Sequence, residues 1–258
     1  MSTQYKKPPI EEAICDLAFA PSKKWSSTAH GLFYNKVKDR YPDDTDEQEG
    51  IEALVQVGPN GVISPQTKSL GRRVLLNNNS EGKRASIREN GLGTHSLKPY
   101  CGWDSFRSDI LENIKVYSEI MNPVGVQRIG VRYINRIVLD SDQTGAAKLG
   151  DYFTVHPTSI QLPEGHQTYL SGFILRKNSI VSIDNEDFVI ATSFVDGKSA
   201  GHTDNMSVIL DIDVYKIWDT EPLAMGLVEK YIDLLRQIER DSFESLITPH
   251  AREVFNAI

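Results

Sequence analysis

The run VGVQRIGVRYINRIVLD, residues 124–140, constrains the fold of this chain more than any other stretch. Ile129, Val131, Tyr133, Ile137 and Leu139 fall on one side of an extended backbone and Arg128, Arg132 and Arg136 on the other, because successive strand side chains point to opposite faces. Asn135 is the polar exception on the apolar side. Burying a guanidinium is unfavourable unless it meets an acid or an anion, so the arginine side demands partners. The rest of the chain reads as pairing with this strand or packing on it.

Residues 10–19 supply a first neighbour, with Ala13, Cys15, Leu17 and Phe19 on one face and Glu12 and Asp16 on the other. The spacing of the acids matches that of the arginines, so neighbouring strands would place them in a cross-strand ladder. Pro21 ends that strand, and a helix is expected over residues 24–41 with Trp25, Ala29, Leu32, Phe33 and Val37 on its buried stripe. The acidic run 42–50 reads as a solvated loop, since the glycine and distal glutamate of a calcium loop are missing. Short strands are expected at 51–57, 62–64, 71–76 and 84–89, then an amphipathic helix over 104–121 stopped by Asn122-Pro123. Beyond the arginine strand, residues 141–165 are loop-rich with a short helix near Ala146. Further strands are expected at 169–176, 179–183, 188–194 and 207–215, and helices over 222–246 and from Pro249.

These elements predict an α+β fold, a large mostly antiparallel sheet with long helices packed on one side. Tyr100-Cys101-Gly102-Trp103-Asp104 and Tyr215-Lys216-Ile217-Trp218-Asp219 precede the two long helices at a common offset. That suggests two duplicated β-rich units, residues 1–122 and 123–258, in one compact two-lobed domain; chance similarity of five-residue patterns is the alternative.

A chain of 258 residues buries roughly three-quarters of the surface its unfolded form exposes, so it needs no disulfide or metal staple. Its two cysteines, Cys15 and Cys101, are too few for a zinc site and read as small core residues. A net charge of -7 argues against a general nucleic-acid binder, though not against a local basic face. The opening MSTQYKKPPIEEA lacks the apolar run of a signal peptide, and the expected location is cytoplasmic, with no membrane.

Three constellations could carry chemistry. Asp211 and Asp213 lie two residues apart on one strand face and, with Asp184 or Asp204, could hold magnesium for phosphoryl transfer, the arginines holding phosphate charge; the structural alternative makes them partners of those arginines. Arg72, Arg73, Arg84 and Arg88 cluster on a hairpin and could touch phosphates, or simply keep an exposed hairpin soluble. His202 with Asp204 has ligand-like spacing but no second histidine nearby. Hydrolase elbows, Walker loops and zincin helices are missing from the sequence.

Lys7-Pro8-Pro9-Ile10-Glu11-Glu12-Ala13, Arg128-Ile129-Gly130-Val131-Arg132-Tyr133-Ile134-Asn135-Arg136 and the segment 243–248 together carry a resemblance. The chain resembles an uncharacterised, sporadically distributed prokaryotic family of about this length with a Pro-Pro-Ile-x-Glu-Ala opening and a central Arg-Tyr-Ile-Asn motif. The resemblance implies a mobile or defence-associated gene context, carries over no catalytic residue, and puts weight on Glu12, Arg132, Tyr133 and Asn135. Those positions read structurally as Glu12 paired with Arg132 or Arg128 and Asn135 satisfied by backbone. They read functionally as a groove in which Arg128, Arg132 and Arg136 meet an anionic ligand or an acidic partner.

The expectation is therefore a non-catalytic binding protein whose partner is another protein, with nucleic acid or nucleotide as alternatives. A magnesium-dependent phosphoryl-transfer or nucleotide-binding enzyme is the runner-up, and only that reading implies a cofactor. Partner identity and oligomeric state are not legible in the sequence.

Overall fold

The computed structural model describes residues 5–20, 28–57, 63–139, 149–155, 173–196 and 207–256. Its elements, in chain order, are β1 (Ile10–Ala20), α1 (Ala29–Val37), β2 (Asp46–Val57), β3 (Ile63–Asn78), β4 (Lys83–Arg88), β5 (Gly91–Leu97), α2 (Trp103–Met121), β6 (Gly125–Val138), α3 (Leu149–Tyr152), β7 (Ile174–Ile183), β8 (Glu186–Asp196), β9 (Ser207–Ile217), α4 (Val228–Leu246) and α5 (Pro249–Val254). The strands form one nine-stranded antiparallel sheet ordered β2-β3-β4-β5-β1-β6-β9-β8-β7. The fold is α+β.

The arginine strand is β6, and it lies beside β1 with Leu17 opposite Ile129 and Ala13 opposite Tyr133. Two meanders fold back onto the strands that lead them. β5 returns beside β1, and β9 returns beside β6. A 19-residue helix follows each returning strand, α2 after β5 and α4 after β9.

Period-two alternation places Ala13, Cys15, Leu17 and Phe19 with Val131, Tyr133, Leu210, Ile212 and Val214 in one buried layer. Both 19-residue helices cover that layer. Phe19 stacks on Tyr117 of α2 at 4.4 Å, and Phe188 of β8 meets Tyr231 of α4 at 6.5 Å. Asn113 of α2 is fully buried, yet satisfied: its Nδ2 donates to Tyr41 Oη and Thr94 Oγ1, and its Oδ1 accepts from Arg40.

Several local expectations need correction. Two helices stop short of their expected bounds, while α2 matches its own: α1 ends at Val37, its Leu32 is exposed, and α4 begins at Val228 after a 3-10 turn at Met225–Leu227. Residues 46–50 are strand and not loop, because β2 pairs with β3 from Asp46 onward. The two short strands expected at 62–64 and 71–76 are one, β3, and those expected at 169–176 and 179–183 merge into β7. The turn after β7 falls at Asp184-Asn185, both at positive φ, where asparagine and aspartate tolerate the left-handed region. β5 went unpredicted because GLGTHSL has neither strong alternation nor β-branched density. Trp103 opens α2, but Trp218 lies well ahead of α4, so the two Trp-Asp pentapeptides are not equivalent helix starts. Trp25, Ala146, His202 and Asp204 lie outside the described residues.

Candidate functional site

Strand alternation splits the singled-out residues of β6 between two places: Arg128, Arg132 and Arg136 face away from the helices, Tyr133 and Asn135 face toward them.

On the face turned away from α2 and α4, acids from neighbouring strands hold the arginines. Arg132 forks onto Asp211, with Nε at 2.8 Å and Nη2 at 2.6 Å. Arg128 spans Asp16 at 3.5 Å and Asp213 at 3.2 Å, and its guanidinium sits 4.6 Å from the ring centroid of Tyr215. Arg136 donates to Ser207 Oγ and lies 4.0 Å from Glu11. Burial pushes the Asp213 carboxyl upward against the pull of Arg128 and Arg132. Glycines make room for this lattice: a Cβ on Gly130 would lie 2.7 Å from Arg128 Nη1, and one on Gly91 would lie 2.5 Å from Arg88 Nε.

Glu12 takes a partner that the sequence reading did not name. Its Oε1 is 2.8 Å from His95 Nδ1, while Arg132 acts on it only through space. Burial works to raise the Glu12 carboxyl, but the His95 contact and the charges of Arg84 and Arg132 outweigh it and hold the group below its ordinary value. His95 Nε2 in turn lies 3.3 Å from Ser86 Oγ. Ser86, His95 and Glu12 thus form a chain of the order found in serine hydrolases. Ser86 is only 1% exposed, however, so an acyl carbon has no approach to its oxygen; the chain ties β4 to β5 and β1.

The basic hairpin does not form one patch. Arg88 turns onto Asp16 with two bonds of 2.9 Å, Arg84 donates to Asn77, Arg73 donates to Gln48, and Arg72 is exposed on the opposite side of β3 from Arg73. Nor do the aspartates gather a third acid: among the described residues no group of three His, Cys, Asp or Glu side chains could hold a metal, and Asp211 already carries a bidentate guanidinium.

On the helical side lies a pocket of about 650 Å³. Its floor is Tyr133 and Asn135 of β6; its walls are Pro8, Pro9 and Ile10 leading into β1, Tyr100 to Ser105 at the head of α2, and Arg236, Glu239, Arg240 and Phe243 of α4. The floor is fixed from below and beside. Asn135 Nδ2 donates to Leu210 O at 3.3 Å, and the hydroxyls of Tyr133 and Tyr100 lie 2.8 Å apart. The N-terminal segment is tied down by Lys6 and Lys7 N–H bonds to Asn256 and Phe255 carbonyls and by Tyr5 Oη donating to Glu244.

Arg236 lies over the Tyr133 ring at 4.2 Å and 5.7 Å from the Trp103 centroid, contacts that suit a planar, weakly hydrated cation. Its Nη1 is bonded to the carboxylate of Glu239. Glu239 is 1% exposed, and burial pushes its carboxyl up to about 7 despite Arg236 and Arg240. Periodicity along α4 could have shown Glu239 as an acid on a buried stripe with Ile232, Leu235 and Phe243; nothing in the sequence joined it to Tyr133.

No family model matches this chain, and neither does any curated protein. Among the described residues, no helix is long and apolar enough to cross a membrane.

Proposed function

We propose that this chain is a non-catalytic binding protein that holds another protein at the pocket between the lead-in to β1, β6, the head of α2 and α4. The observation that supports this reading is convergence. Pro8 to Ile10 and Tyr133 with Asn135, from the two motif segments far apart in sequence, line one pocket with Arg236 and Glu239. The arginine ladder has the opposite character, since Arg128 and Arg132 are engaged by acids of their own sheet and serve register. The same pairing weighs against the magnesium-dependent reading, because a cation at Asp211 would have to displace Arg132.

Native mass spectrometry of the protein drawn from its host tests this. Cys101 is exposed and lines the pocket, so Cys101→Trp fills the space at the loss of one 3.3 Å contact to Ser96 Oγ. A stoichiometric complex lost in Cys101→Trp and kept in Arg132→Ala is expected; the reverse pattern would move the binding surface to the sheet face. We further propose that residues 1–122 and 123–258 are related units. The matching return of β5 to β1 and β9 to β6 supports that idea.

A further inference from the structure

Glu239 occupies only the Nη1 corner of Arg236; the Nε and Nη2 edge has no hydrogen-bond partner among the described residues. The Arg236 side chain keeps 18% of its surface open, against 2% for Glu239, so of these two lining residues the arginine is the more accessible. Two parallel N–H donors in a rigid plane match the two oxygens of a carboxylate. The surroundings agree in sign and shape. α2 starts at this pocket without a side-chain cap, so its first-turn N–H groups point outward there, and Tyr100, Trp103, Phe243 and Pro9 offer planar, apolar walls.

We propose that the pocket takes a carboxylate borne on an apolar or aromatic body, docked on the Nε–Nη2 edge of Arg236, and that Glu239 takes up a proton as the ligand enters. This rests on the pocket being the binding site proposed above. Two carboxylates around one buried guanidinium repel each other in a medium of low dielectric, and protonating the inner one removes the repulsion. The titratable and charged groups that line the pocket with Glu239 are Arg236, Arg240 and Glu244 from its own helix, Tyr133 from β6, Tyr100 and Cys101 from the link into α2, Asp104 from α2, and Tyr5 and Lys6 from the N-terminal segment. Of these acids Glu244 is already held by Tyr5 and Arg252, and Asp104 is exposed at the rim. Glu239 is left as the proton acceptor. Its burial sets it up for that role near neutral pH.

Calorimetry on the full chain decides the matter, using N-acetylphenylalanine and its amide, the peptide Ala-Ala-Phe as free acid and amide, and inorganic phosphate. Both acids are expected to bind at least about tenfold more tightly than their amides and more tightly than phosphate. Binding of the acid is expected to weaken about tenfold from pH 6 to pH 8, with net proton uptake at pH 8 measured in buffers of different ionisation enthalpy. In Glu239→Gln the pH dependence and the uptake disappear, while Arg236→Lys loses the preference for acid over amide. Should Glu239→Gln fail to fold, uptake by the wild-type chain decides alone. A peptide acid favoured over N-acetylphenylalanine assigns the carboxylate to a protein chain end; equal affinity assigns it to a free small acid. Amides binding as well as acids, phosphate binding best, or acid binding without proton uptake would each overturn the inference. A partner complex that is sensitive to Cys101→Trp, alongside acids that do not bind, would leave the binding-protein reading standing and remove this one alone.

Discussion

His95 Nδ1 lies 2.8 Å from Glu12 Oε1, and this contact, not an arginine, fixes the acid at the head of β1. The two residues sit on paired strands, with Glu12 opposite Leu97 and His95 opposite Ile14, so the bond is diagonal across the β1–β5 ladder. Glu12 is held below its ordinary value, so its stabilising contribution is present above the usual carboxylate range and is lost as pH falls through the lowered folded value. Urea unfolding at pH 3 and pH 7 should therefore show a smaller acid loss in Glu12→Gln than in the wild-type chain. His95→Ala, which leaves the half-buried Glu12 and the buried Ser86 without this partner, should cost roughly 1–3 kcal/mol at pH 7.

Along the ladder, the cost of losing a charge should follow its exposure. Arg132 retains 43% of its side-chain surface, so Arg132→Ala should lower stability by only about 1 kcal/mol despite its bidentate geometry. Asp16 receives Arg88 twice and Arg128 once, and the side chains of Asp16 and Arg88 are about three-quarters buried. Asp16→Ala should cost roughly 2–4 kcal/mol, because Arg88 loses its acid and Arg128 is left with Asp213 alone. Chemical denaturation of the two variants checks the order; an equal or reversed cost would contradict this account.

Gly130 offers a cleaner probe of the same lattice. A methyl there would meet the guanidinium of Arg128, the mobile end of a long side chain, and not backbone. Gly130→Ala should cost about 1 kcal/mol in the wild-type background and close to nothing when Arg128 is already alanine, a coupling that a double-mutant cycle reads directly.

The sheet was legible because its central strands are written in period two. Ala13, Cys15, Leu17 and Phe19 on β1, and Val208, Leu210, Ile212 and Val214 on β9, recur at every second position, with Glu12, Asp16, Asp211 and Asp213 on the other face, and one face of each had to be buried. β5 was hidden because Thr94, His95 and Ser96 are buried polar residues, satisfied by Asn113 of α2, by Ser86 of β4 and by Cys101 in turn, which leaves no hydrophobic pattern to read. The arginines were visible as residues that need acids, and the acids on β1 and β9 answered them. The pocket was not visible. Tyr133 and Asn135 looked like motif positions on a core face, and Arg236 and Glu239 carry no sequence signal that joins them to that face. Only the packing of α4 over β6 brings the guanidinium onto Tyr133.

That packing makes Glu239 the group whose titration should be felt most by the whole fold. Its folded carboxyl titrates near 7, above its ordinary 4.5, so the native chain keeps a proton that the unfolded chain releases in between. Its contribution to stability is fully present below about pH 4.5 and is lost as pH rises toward 7, a loss on the order of 3 kcal/mol for this group alone. A neutral glutamine mimics the protonated acid, and its amide oxygen can still accept from Arg236. Glu239→Gln should flatten the fall in melting temperature between pH 5 and pH 8 and should melt above the wild-type chain at pH 8. A variant that instead melts far lower at every pH would mean that Arg236 needs a full negative charge beside it, and that Glu239 is ionised in the folded protein.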